Sequence, residues 1–348
     1  MEPEEINEFD INQIPEPESI SDVIYNLMVN PNLSPINYFN DFADTIPDPK
    51  RMNDDSSAEP GIIELEDGSK LVAMSTHALH HHLEIDPEIA AEILVTRAVR
   101  KMICFGSNPV AVSAMLYHIN YSDPNGNNIA SGAKAGLDQA AKAFGLKISD
   151  RKIRFDNFDA HESQSPTLIV SLLGTTNTDH NNAVKTMTPS FKNKGNNIFL
   201  LGKMTDDIGT SDYLEFYHGI TNSPLPQFDL QFEVKLLKTV KELIAKDMIQ
   251  SASPVGKGGL FFSLLRSGWV NELGFDITTA AEYRIDSFLF GESMGRIIVG
   301  VDPEKEEEFI DFMYDSKIPF FTLGHVTKGE IRIDDESFGY IDKMSESL

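Results

Sequence analysis

Short apolar runs of strand length alternate with longer stretches of helical periodicity along most of this 348-residue chain. Lys70–Ser75, Pro109–Leu116, Leu168–Leu173, Ile198–Leu201, Arg296–Val301 and Pro319–Leu323 read as strands, and Ser287–Phe290 is a further strand-like run. Helical spacing marks Ile20–Asn30, where Val23, Ile24 and Leu27 share a face. Asp86-Pro87-Glu88 is a helix start, with an N-cap, a proline in the first turn and an acid at the positive dipole end. Ile89, Ile93, Leu94, Ala98, Val99 and Met102 continue that helix. Further helices are expected over Ile129–Phe144, closed by Gly145, and over Phe228–Met248, Gly258–Ser267 and Pro303–Tyr314. The alternation is irregular, which predicts an α/β or α+β fold with mixed sheets.

A polar segment from about Asp179 to Lys194 divides the pattern, giving an expected first lobe over 20–185 and a second over 186–335. Residues 1–19 hold seven acidic residues and three prolines and read as a solvated tail, and 336–348 reads as a second tail. Acidic residues outnumber basic ones by 54 to 29, a net charge of −25. Such a surface repels phosphate backbones and anionic lipid, so neither nucleic acid nor membrane is expected as a partner. Cys104 is the only cysteine, which excludes an intrachain disulfide and a cysteine-based zinc site and fits a reducing cytoplasm. No apolar run approaches the roughly 18 residues of a membrane span.

Four candidate constellations carry chemistry. His77, His80, His81 and His82 form the densest group of metal-capable side chains, and His77 and His81 would share a helix face. No acid completes the helical metalloprotease pattern, so a polar loop is the plainer reading. Gly256-Lys257-Gly258-Gly259 precedes an apolar helix, where backbone N–H groups and the helix dipole suit an anion. It is not a P-loop, and a close-packed glycine helix entry serves equally well. Arg151, Lys152 and Arg154 are a basic knot in an acidic chain. On a strand over Ile148–Phe155, Lys152 and Arg154 share one face with Asp150 and Asp156, and Arg151 points away. That is an anion patch or a salt-bridged surface strand. Glu292-Ser293, beside Gly291, places an acid where it could hold a substrate amine or a metal, or simply close a turn.

Six short motifs recur in a fixed order: Asn30-Pro31-Asn32, Gly106-Ser107-Asn108-Pro109, Ser165-Pro166-Thr167, Gly209-Thr210-Ser211, Gly256-Lys257-Gly258-Gly259 and Phe290-Gly291-Glu292-Ser293. Together, over roughly residues 20–330, they resemble the second half of phosphoribosylformylglycinamidine synthase, an ATP-dependent ligase of purine synthesis. Gln250-Ser251-Ala252 through Gly259 resembles its Q-S-A-H-D-V-x-E-G-G element, and Leu289–Val301 its L-F-S-E-S-Q-S-R segment.

The resemblance implies a two-lobed aminoimidazole ribonucleotide synthetase-like fold. Its N-terminal lobe supplies half of a β-barrel shared on dimerisation, and the C-terminal lobe is α/β. It implies ATP and magnesium as cofactors, and a second copy or a first-half chain as partner. The departures fall on charge. Where the family's S-G-N-x-S motif handles nucleotide and magnesium, this chain has Arg151, Lys152 and Arg154. Ala114 replaces an upstream Asn or Asp, Ser253-Pro254 replaces His-Asp, and Lys257 replaces Glu. A lysine ammonium has no lone pair and cannot ligate magnesium. No catalytic residue is assigned. Arg151, Lys152, Arg154, Lys257, Gly258, Gly259, Glu292 and Ser293 stand as anion- or nucleotide-binding candidates. Three functions follow: a purine-synthesis homologue with an altered ATP/magnesium site, a split-synthase subunit active only with a first-half partner, and a non-catalytic anion- or partner-binding module. An unrelated metal protein built on the histidines is a fourth.

Overall fold

The computed structural model describes residues 10–30, 33, 61–64, 71–79, 82–119, 124–155, 165–176 and 187–346. A 3₁₀ turn, Ile11–Gln13, leads to α1 (Ile20–Met28). The first sheet and its helices follow as β1 (Gly61–Glu64), β2 (Leu71–Leu79), α2 (His82–Ile85), α3 (Pro87–Cys104), β3 (Ser107–Ile119), α4 (Pro124–Phe144), β4 (Lys147–Phe155) and β5 (Thr167–Thr176). Strand order is β1-β2-β5-β3-β4; β3 and β4 run parallel and the other pairs antiparallel. Burial alternates along β5. Leu168, Val170 and Leu172 point into the core with α3 and α4, and Ile169, Ser171 and Leu173 line the opposite, open face.

The second sheet comprises β6 (Asn197–Gly202), α5 (Leu230–Ala245), β7 (Ser251–Pro254), α6 (Gly259–Trp269), β8 (Gly274–Ile277), α7 (Ile285–Phe290), β9 (Arg296–Val301), α8 (Glu306–Ser316), β10 (Phe320–Thr327), β11 (Glu330–Ile333), β12 (Glu336–Tyr340) and α9 (Ile341–Glu346). Its order is β12-β11-β8-β10-β6-β9-β7. Strands β6 and β9 are buried on both faces, which explains their unbroken apolar sequences. Phe199, Leu201, Ile297 and Val299 meet α5 and α8 on one side, and Ile198, Leu200 and Ile298 meet α6 and α7 on the other. The first of these cores also contains the inner faces of α3 and α4, so α5 packs on both sheets' layers at once.

The mixed α/β class is as expected; several elements differ. Ser287–Phe290 is the body of helix α7, not a strand. Three apolar residues in a row carry no period that separates the two, and the Asp286 carboxylate accepts the Ser287 N–H, at 2.9 Å. Residues 10–14, assigned to a solvated tail, are docked: Ile11 and Ile14 pack on the second core and their carbonyls accept hydrogen bonds from Arg284, at 2.6 and 2.9 Å. The Pro303 helix opens as a 3₁₀ turn, Pro303–Lys305, before α8. A bulge at Ser149 lies in β4: Val112 pairs with Ile148, and Ser113 with Asp150.

Gly202, at φ 110°, ends β6 where a Cβ would stand 1.7 Å from the Gly295 carbonyl oxygen. The close approach holds the end of β6 against the segment that leads into β9. Gly202→Ala is expected to lower stability by about 3 kcal/mol, the upper end for forced overpacking, read as a reduced urea midpoint at unchanged slope.

Candidate functional site

The site lies where the N-terminal turn of α6 meets the segment that follows β6 and the segment that leads into β9, within reach of the charge of Arg97 on α3. Gly258 and Gly259 both have positive φ, 75° and 74°. A Cβ on Gly259 would stand 2.6 Å from the Phe290 carbonyl carbon, so a glycine is required for α6 to abut the end of α7. The amides here have internal partners. Gly259 N–H donates to the Gly256 carbonyl at 2.9 Å, and Gly258 N–H donates to Glu292 Oε1 at 2.9 Å. That same Oε1 accepts the Asp212 N–H, also at 2.9 Å. The Glu292 side chain thus occupies the helix-entry position that suits an anion.

The Asp212 side of this clasp is built by the Gly209-Thr210-Ser211 motif. Asp207 accepts the N–H groups of Gly209 and Gln227, at 2.9 and 3.2 Å. Ser211 Oγ donates to the Ile208 carbonyl at 2.6 Å and accepts Leu214 N–H at 3.2 Å. A single π-helical turn, Tyr213–Tyr217, follows directly, a form often found at functional sites.

Around these carboxylates stand four arginines. Arg97 and Arg100 project from α3 one turn apart. Arg100 is 1% exposed and forms an ion pair with Glu233, also 1% exposed, on α5. Arg266 on α6 donates to the Lys257 carbonyl at 2.8 Å and to Ser263 Oγ at 3.2 Å. Arg296, at the start of β9, donates to the Gly291 carbonyl at 2.5 Å. Arg97, half-buried, makes no hydrogen bond or ion pair among the described residues. Its charge is felt by both Glu292 and Asp212.

Burial governs the ionisation of the whole group. It pushes the Glu292 carboxyl up to about 7, with the nearby Asp212 charge adding to the rise and Arg97 opposing it. Asp212 is raised chiefly by burial, against the pull of Lys257. Burial brings Arg266 and Arg296 down to about 10 and lowers Arg97 too. A carboxyl that changes charge near neutrality, beside a guanidinium with spare donors, can exchange a proton and hold an anion.

The sequence candidates divide. Gly258, Gly259 and Glu292 come together here, with Ser293 buried beside them and exposed Lys257 felt by Asp212. Arg151 and Lys152 lie on the edge strand β4, exposed, and pair locally. Arg151 reaches Asp138 on α4 at 2.6 Å, and Lys152 reaches Asp150 at 3.1 Å. Arg154 lies on the same exposed strand. His77 sits on β2, and His81 lies outside the described residues, as does Asp156. Among the described residues no group of three His, Cys, Asp or Glu side chains is placed to hold a metal.

Burial favours the neutral form of Asp212 and Glu292, which makes the two carboxyls of this site poor magnesium ligands. Sequence reading missed Arg97, Arg100, Asp212, Glu233, Arg266 and Arg296. Two arginines three apart inside the apolar run of α3 were the legible signal for the first pair, since fully buried arginines are rare without partners.

The Glu292 carboxyl ordinarily titrates near 4.5 and here near 7. A raised acid stabilises the fold below its unfolded value, and that stability is lost as pH rises through the folded one. Glu292→Gln keeps an oxygen for both N–H groups. It is expected to flatten the decline in stability between pH 4.5 and 7, measured by urea unfolding at half-unit steps; an unchanged slope would contradict the assignment.

Two family models match the chain in tandem: the AIR synthase related protein N-terminal domain over residues 57–176 and the C-terminal domain over 193–335. A phosphoribosylformylglycinamidine synthase subunit PurL from Alkaliphilus metalliredigens is 28% identical over 98% of this chain, which spans 46% of that relative's length. The structure of Thermotoga maritima PurL complexed with FGAR aligns with a TM-score of 0.73 at 13% identity, covering 94% of this chain and 53% of that one. A chain of the HypE–HypF complex aligns with a TM-score of 0.61 at 15% identity, covering 87% and 97%. Both structural likenesses are likenesses of fold. The tandem match agrees with the two-sheet architecture, and the chain belongs to the AIR synthase related proteins, resembling among them the phosphoribosylformylglycinamidine synthase PurL subunits.

Proposed function

We propose that this chain is a phosphoribosylformylglycinamidine synthase-like component of purine biosynthesis whose site binds a phosphate-bearing ligand through arginine rather than through magnesium. One observation carries the reading: Arg97, without a hydrogen bond of its own among the described residues, lies close enough for its charge to act on both carboxyls of the Glu292–Gly258–Asp212 clasp. A guanidinium offers several donors in a fixed plane and suits phosphate oxygens. Lys257, exposed at the rim, adds a second positive charge. In a chain of net charge −25, such a local concentration of positive charge is what an anion needs.

Calorimetric titration with ATP and ADP, each with and without magnesium, tests this. Binding indifferent to magnesium, weakened roughly tenfold or more in Arg97→Met, is the expected result. Tight binding that requires magnesium would overturn it and favour the second reading, an active subunit of a split synthase. That reading draws support from the relatives being about twice this chain's length.

The same proposal includes a partner. The open face of the first sheet carries Ile169, Ser171 and Leu173, the last 43% exposed, and a sheet face of this kind is normally covered. A second copy of the chain, or a first-half chain, would cover it and complete a barrel. Sedimentation is expected to give a dimer for the purified chain and a shift towards monomer for Leu173→Lys. A wild-type monomer that stays monomeric at high concentration leaves the first-half chain as the partner to be mixed in.

A further inference from the structure

We propose that the N-terminal segment, residues 10–30, is a structural part of the Glu292 site, and that Arg284 and Tyr213 are positioning residues that couple the two. The inference rests on the reading of that site as the functional one. It begins with Arg284, at the entry to α7. Its Nη1 donates to the carbonyls of Ile11 and Ile14, at 2.6 and 2.9 Å. Its Nε and Nη2 grip the Asp286 carboxylate in a two-point pair, at 3.0 and 2.7 Å. Asp286 is fully buried and, besides the Ser287 N–H, accepts a hydrogen bond from the Tyr213 hydroxyl at 2.9 Å. Tyr213 follows Asp212, whose N–H holds Glu292.

The hydrogen bonds therefore run without a break in the chain of contacts. They pass from the carbonyls of the N-terminal segment through Arg284, Asp286 and Tyr213 to the backbone that clasps Glu292. Each link is charge-assisted or buried, the conditions under which a hydrogen bond directs geometry. Packing reinforces the path. The apolar face of α1, with Val23, Ile24, Leu27 and Met28, lies in one core with Tyr213 and Leu214. Tyr213 stacks on Tyr217 and Phe290, at 5.6 and 5.5 Å between ring centres. Leu33, just beyond α1, is 1% exposed and seats its Cδ2 where a Cβ on Gly258 would approach to 2.9 Å. The segment thus reaches the clasp from both ends, Asp212 through the relay and Gly258 through Leu33. If the segment and the clasp favour one another, a ligand at the site and the docking of the segment strengthen each other by the same factor.

Hydrogen exchange of the ligand-free full chain tests the coupling, so that its failure stays distinct from a failure to bind nucleotide. Tyr213→Phe removes only the relay hydroxyl. It is expected to speed exchange over residues 209–217 by roughly tenfold, the effect of losing one hydrogen bond to a charged group, while residues 10–30 stay protected. Arg284→Met is expected to speed exchange in the N-terminal segment and over 209–217 and 255–262 together. If that variant does not fold, Arg284→Lys, which keeps the charge but not the two-point grip, should do the same to a smaller extent. A merely structural loosening would leave Glu292 titrating as before. In Tyr213→Phe its midpoint, followed by carbon NMR of labelled glutamate, is expected to move. Release of the N-terminal segment with unchanged exchange at 209–217 and 255–262, or an unmoved Glu292 midpoint in Tyr213→Phe, would overturn the proposal.

Discussion

Burying the Glu292 carboxyl removes it from bulk water, and two backbone N–H groups replace part of that hydration. Much of the second half of the molecule is arranged to allow this. The Gly258–Gly259 turn must bend through positive φ to present one N–H, and the Asp207-supported loop must close tightly to present the other. Arg97 then lies close enough to temper the charge without pairing with it. An acid in such a setting stays poised between its two forms, because burial and arginine act in opposite directions on it.

The deeper layer is an ion pair with a different character. Arg100 and Glu233 join α3 of the first half to α5 of the second, both screened from water. Charges so buried are tolerated only together, and removing either strands the other. The pair therefore fixes how α3 lies against α5, and Arg97, one turn earlier on α3, inherits its position from that register.

Much of this was legible. The N-cap Asp86 with Pro87, and the αL-closing Gly145 after α4, mark their helices in plain local chemistry. The paired glycines and Glu292 stood out as separate local motifs, and the fold brings them into one clasp. What could not be read was contact across distance. Arg97 and Asp212 are 115 positions apart, and nothing local to either announces the other. Phe288, Leu289 and Phe290 are apolar in both a strand and a buried helix turn, so the run alone does not decide between them. The docked residues Ile11 and Ile14 are isolated apolar positions in an acidic stretch, and their anchor, Arg284, lies far along the chain.

The apolar core that holds α3 and α4 continues through α5 to Phe199, Val299 and Phe309 under the second sheet. The boundary between the two family domains is thus a boundary of ancestry and not of melting. Neither half retains a complete interior when separated from the other, because α5 would lose one of its two layers. The molecule should then unfold as one cooperative unit, and evolution within it is constrained accordingly. A change in side-chain volume on α3 is transmitted to α5, and through α5 to the strands beneath the site.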